Sequence, residues 1–86
     1  MYCKYCKVLK MPCDLYGRNA TIFNHDVNNI DGNIWIQYSD KECNAKSLLG
    51  LLSLGLKSGT DVIIKTDGID HDNIFLKVEN IVYGLS

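Results

Sequence analysis

The sequence predicts an α+β fold, a four-stranded sheet covered on one face by three helices in the order β-α-β-β-α-β-α. Two periodicities predict it. Apolar residues recur every three to four positions in three stretches, and short alternating or β-branched runs occupy four others. The third observation is size. A chain of 86 residues supports one small core, so 1–86 is expected to be a single domain. A sheet this small is covered on one side only, which gives a two-layer sandwich with an open face.

Each element follows from local chemistry. The first strand is expected over Cys3 to Lys10, with Tyr5, Val8 and Leu9 as its apolar content. Pro12 ends it, because proline gives a ladder no N–H. A helix is expected from Gly17 to about Asn28, with Ala20, Phe23, Val27 and Ile30 at helical spacing. Asn28-Asn29 and Asp31-Gly32 stop it. Ile34, Ile36 and Tyr38 alternate with Trp35 and Gln37 as a half-buried strand, which puts Trp35 and Gln37 on the open face. Ser39-Asp40 turns the chain into a returning strand over Lys41 to Ala45.

Ser47 is the expected N-cap of a short helix. The run Leu48-Leu49-Gly50-Leu51-Leu52-Ser53-Leu54 follows and Gly55 ends it. So many leucines cannot share one stripe. With Leu48 and Leu51 facing inward, Leu49 and Leu52 fall on a more exposed side. Ser58-Gly59 turns into a strand over Asp61 to Thr66, centred on Val62-Ile63-Ile64. After Asp67-Gly68, Asp70 is the expected N-cap of the last helix, whose buried stripe is Ile74, Val78, Ile81, Val82 and Leu85.

Composition narrows the function. Nine basic and ten acidic side chains leave a net charge of -1, so no basic field is available for a phosphate backbone, and direct nucleic-acid binding is not expected. The longest near-apolar stretch, Leu48 to Leu56, is too short for a membrane span, which needs about 20 residues. Met1-Tyr2-Cys3-Lys4 lacks the apolar segment of a secretory signal, so a cytoplasmic location is expected. Cys3 and Cys6 have a zinc-knuckle spacing, but no second pair follows, and His25 and His71 are not spaced to supply it. The cysteines read as structural thiols and no metal or other cofactor is implied.

The segment Asn44-Ala45-Lys46-Ser47-Leu48-Leu49-Gly50-Leu51-Leu52-Ser53-Leu54-Gly55-Leu56 resembles the regulatory-serine segment of HPr. HPr is the histidine phosphocarrier of the phosphoenolpyruvate-dependent sugar phosphotransferase system. The resemblance extends over nearly the whole chain, and the element order agrees with an HPr-like domain. The family's other motif is a histidine followed by x-Arg-Pro-Ala at the start of the first helix. Here the matching stretch is Asp14-Leu15-Tyr16-Gly17-Arg18-Asn19-Ala20-Thr21. Leu15, Arg18, Ala20 and Thr21 fit. Tyr16 stands where the histidine is expected, and Asn19 where proline is expected.

The resemblance implies a divergent member that does not carry phosphoryl groups. Imidazole is nucleophilic near neutral pH, whereas a phenol titrates near pH 10 and needs a base. Phosphotyrosine is also too stable an ester to pass its phosphoryl group on readily. Tyr16, Gly17 and Arg18 are the residues that would still cradle an anion at the helix start. His25 and His71 are not placed to replace the lost histidine. In the family a dedicated kinase phosphorylates the serine matched by Ser47, and the counterparts of Arg18, Leu49 and Leu52 meet partner proteins. The implied partners are proteins of the phosphotransferase system, HPr kinase/phosphorylase and a catabolite-control transcription regulator. The leucine-rich form looks like the Gram-positive branch, where HPr-like proteins with a changed histidine and a retained serine are regulatory and have no catalytic activity of their own. The competing readings are plainer: Ser47 as an N-cap, Leu49 and Leu52 as core, Arg18 as a solvated side chain, Tyr16 as a surface aromatic. A separate alternative is an interaction module of the same fold that binds a partner through the leucine face and has no phosphorylation role.

Overall fold

The computed structural model describes residues 5–68 and 70–85. Strand β1 spans Tyr5–Lys10, helix α1 Arg18–Val27, β2 Ile34–Tyr38, β3 Lys41–Asn44, α2 Leu48–Leu54, β4 Asp61–Thr66 and α3 His71–Gly84. The element order is the expected one. Cys3 lies outside the described residues, and so does the start anticipated for the first strand.

The four strands form one antiparallel sheet in the order β1-β4-β2-β3. The last strand in sequence is therefore inserted between the first and second. That central place suits Val62-Ile63-Ile64, since β-branched side chains pack well on a sheet paired at both edges. Period-two alternation sorts the faces. Leu9, Ile34, Ile36, Val62, Ile64 and Thr66 are buried under the helices. Val8, Trp35, Gln37, Ile63 and Lys65 belong to the open face, where Lys65 Nζ meets Glu42 Oε2 at 2.8 Å. Trp35 and Gln37 sit on this face as expected, both half-buried.

The helices contribute Ala20, Phe23 and Val27 from α1, Leu51 from α2, and Ile74, Phe75, Val78 and Val82 from α3. Three expectations need correction. Ile30 lies beyond α1, in a turn that buries it without helical geometry. Ile81 and Leu85 are half-buried, and Phe75 takes their place in the core. Leu49 stands clear and Leu52 is half-buried, the partial exposure expected on that side of α2. Asp70 precedes α3, but its side chain caps no backbone N–H. Its φ of -89° and ψ of 36° depart from the extended torsions of a capping residue, and Oδ1 instead accepts from Asn73 Nδ2 at 2.9 Å.

Helix α2 lies close to β3 because residue 50 is glycine. A Cβ at Gly50 would sit 3.0 Å from Cys43 Cβ, an atom fixed by its strand. Gly50→Ala is therefore expected to destabilise the protein by about 1 kcal/mol in chemical denaturation, overpacking outweighing the gain in helix propensity. Cys43→Ala should not rescue it, since the contacted Cβ remains. Burial, with Glu42 next to it, pushes the Cys43 thiol up to about 11, so it is a protonated packing group at neutral pH. Among the described residues no three His, Cys, Asp or Glu gather as a metal cluster, and no helix is long and apolar enough to cross a membrane.

Candidate functional site

The candidate residues lie on α1, α2 and the loop that leads into α1. The loop is strapped to the segment after α2 by backbone hydrogen bonds. Leu15 N donates to Leu56 O at 2.8 Å, Met11 N to Thr60 O at 2.8 Å, and Gly59 N to Met11 O at 2.8 Å. Asp14 Oδ1 accepts from Ser58 N at 2.8 Å, and the Asp14 carbonyl accepts from Asn19 Nδ2 at 2.9 Å. Asp14 is thus a structural acceptor, and Asn19 uses its amide to hold the loop. Only the positions of these two residues, not their partners, are visible in the sequence.

Tyr16 follows this strap and is 62% exposed. With Asp14, Gly55, Leu56 and Lys57 it lines a shallow cleft of about 280 Å³. Gly17 makes the turn into α1 with φ +56° and ψ -124°, torsions that a Cβ disfavours, although a Cβ there would meet no neighbour. No side chain caps the helix. The Gly17 carbonyl accepts from both Thr21 N and Thr21 Oγ1 at 3.1 Å. Arg18 is exposed, and its side chain forms no hydrogen bond or ion pair with any described residue. Tyr16, Gly17 and Arg18 therefore stand together at one helix start.

Ser47 is the N-cap of α2, in extended torsions, and its Oγ accepts from Gly50 N at 3.3 Å. Gly55 ends the helix in the left-handed conformation. Leu49 is 79% exposed and Leu51 fully buried, so the two residues face opposite ways. The segment before α2 is tied to the far end of α1. Lys46 Nζ donates to Ile30 O at 2.5 Å, and Asn28 Nδ2 donates to Lys46 O at 3.3 Å. The two helices are therefore antiparallel neighbours. Ser47 lies by the C-terminal end of α1, and the Tyr16 loop lies by the C-terminal end of α2.

The two histidines are elsewhere. His25 is in the last turn of α1. His71 opens α3 and stacks on Tyr5 with ring centroids 3.7 Å apart and 3° between planes, at the opposite end of β1 from the strapped loop. That stack, with Phe75 edge-on at 6.1 Å, has no local sequence signal.

Comparison with known proteins adds to this geometry. The family model described as the PTS HPr component phosphorylation site matches residues 7–83. The HPr-like protein Crh of Halalkalibacterium halodurans is 36% identical over 63 residues, 73% of this chain and 75% of that protein. Among solved structures, the phosphocarrier protein HPr of Bacillus anthracis superposes with a TM-score of 0.82 at 28% identity, over 91% of this chain and 95% of its own. The catabolite repression protein Crh of Bacillus subtilis gives 0.71 at 26% identity, over 99% and 97%.

Proposed function

The chain belongs to the HPr family of the sugar phosphotransferase system, and from that premise we propose that it is a regulatory member that does not carry phosphoryl groups. Proteins of this family interact with other components of the phosphotransferase system and are not enzymes in themselves. The observation that carries the regulatory reading is the phenol of Tyr16 at the start of α1, with an exposed Ser47 and Leu49 at the start of α2, the far end of the same helix pair. Tyr16 takes the place of the carrier histidine. Tyr16, Gly17 and Arg18 remain as an anion cradle that holds no transferable group.

Regulation runs through Ser47. Its hydroxyl is exposed at the start of α2, held by one long hydrogen bond, and within reach of a kinase without unfolding of the helix. A phosphate there adds close to two negative charges beside Leu49 and changes which surfaces the helix can meet. Arg18, Leu49 and the half-buried Leu52 form the docking face. Its partners are HPr kinase/phosphorylase, other proteins of the phosphotransferase system and a catabolite-control transcription regulator, all met in the cytoplasm. The likeness to Crh proteins supports this reading.

The test is direct. With ATP and HPr kinase/phosphorylase the chain is expected to gain one phosphate, and Ser47→Ala to gain none. An unmodified wild-type chain, under conditions that label an ordinary HPr, would refute the regulatory role. Ser47→Asp separates regulation from an interaction module: regulation requires partner binding to change, and the module requires it to stay the same.

A further inference from the structure

We propose that Lys46 is a built-in counter-charge for a phosphate on Ser47, so that modification ties the start of α2 to the turn after α1. This deepens the regulatory reading and rests on Ser47 being the modified residue.

Three observations carry it. First, Lys46 is a half-buried cation without a counter-ion. Its Nζ donates to the Ile30 carbonyl at 2.5 Å, and it forms no ion pair with a described residue. Lys7, Lys10 and Lys65, by contrast, each meet a carboxylate, on Glu79, Asp61 and Glu42. A charge drawn partly out of water is ordinarily paired. An ammonium has three donors, and the neutral Ile30 carbonyl takes one of them. The others are left for an anion.

Second, the segment is ordered before any anion arrives. Lys46 N donates to Asn44 Oδ1 at 2.9 Å, Ser47 N to Asn44 O at 2.9 Å, and Asn28 Nδ2 to Lys46 O at 3.3 Å. The lysine side chain is itself fixed at Ile30. Much of its conformational entropy is therefore already lost, which strengthens any contact it then makes. Cα atoms of adjacent residues are about 3.8 Å apart, so a four-carbon stem reaches a phosphate on Ser47 by side-chain rotation alone.

Third, the helices leave the balance to a side chain. Ser47 begins α2, whose dipole favours an anion there, but α2 has only seven residues. Ser47 also lies by the C-terminal end of α1, the negative end of a longer helix. Lys46 Nζ sits on a carbonyl just past that end and offsets the repulsion.

The modification forms an O–P bond at Ser47 Oγ, breaks the β–γ phosphoanhydride of ATP and releases ADP and the hydroxyl proton. The experiment labels the chain with ATP and HPr kinase/phosphorylase and follows the phosphoserine by phosphorus NMR against pH. A cation beside the phosphate favours its dianion. The second ionisation, ordinarily at about pH 6, should therefore fall lower in wild type than in Lys46→Met, by about half a pH unit. Lys46→Arg should titrate like wild type. His25→Gln, which removes the basic group in the last turn of α1, should keep the low value. A comparison free of variants is the wild-type phosphoprotein folded and in concentrated urea, where unfolding should raise the value. Equal titration in wild type and Lys46→Met, or in folded and unfolded wild type, overturns the counter-charge and leaves Ser47 as the regulatory site. A chain that takes no phosphate overturns the regulatory reading and the counter-charge together.

Discussion

Tyr16→His is expected to turn a chain that takes no label from phosphoenolpyruvate and the system's first enzyme into one that does. The size of the effect follows from the chemistry of the two groups. A phenol is a poor nucleophile without a base, whereas a neutral imidazole attacks near neutral pH and gives a phosphoramidate that stays reactive. The change is therefore from no label to label. The frame should accept the change. Tyr16 is exposed, Gly17 makes the turn into α1, and Asn19 holds the loop through the Asp14 carbonyl. The check is acid-labile phosphate on the variant against wild type, with stability measured alongside. A folded variant that stays unlabelled would show that residue 16 does not stand where a carrier histidine stands.

Leu51→Ala is expected to cost about 2–5 kcal/mol, and Leu49→Ala less than about 0.5 kcal/mol. Both remove the same atoms from the same helix. Leu51 is fully buried beneath α2, so its truncation leaves a cavity, whereas Leu49 is already in water. Domains have total stabilities of about 5–15 kcal/mol, so the first change removes a large share and the second almost none. Guanidinium midpoints report the contrast. Partner binding should reverse it: Leu49→Ala weakens docking in a fully folded protein, and Leu51→Ala acts only through the unfolded fraction. Equal losses of stability would mean that α2 is rotated from the orientation described.

The elements legible in the sequence are those whose cause is local. Ser47 and Gly55 bracket α2 because one is an N-cap acceptor and the other tolerates a left-handed backbone. The Val62-Ile63-Ile64 run marks a strand wherever it pairs. Its insertion between the first and second strands is a matter of non-local pairing, to which composition and periodicity are blind. One misread side chain shares that cause: Phe75 is buried because α3 covers a wider arc than one stripe. Asp70 has capping chemistry but not capping torsions. At the site, Tyr16, Gly17, Arg18, Ser47 and Leu49 were reachable from motif and spacing. The commitment of Asp14 to Ser58 joins residues 44 positions apart and was not.

The antiparallel seating of α1 and α2 has a consequence for how such a protein diverges. Seven residues of α2 separate the serine end from the tyrosine end, a length of about 10 Å and close to the screening length of physiological salt. Charge placed at one end is weakly felt at the other. A lineage could therefore abandon one chemistry by a single codon change and leave the second under undisturbed selection, its two inheritances uncoupled by a short span of leucines.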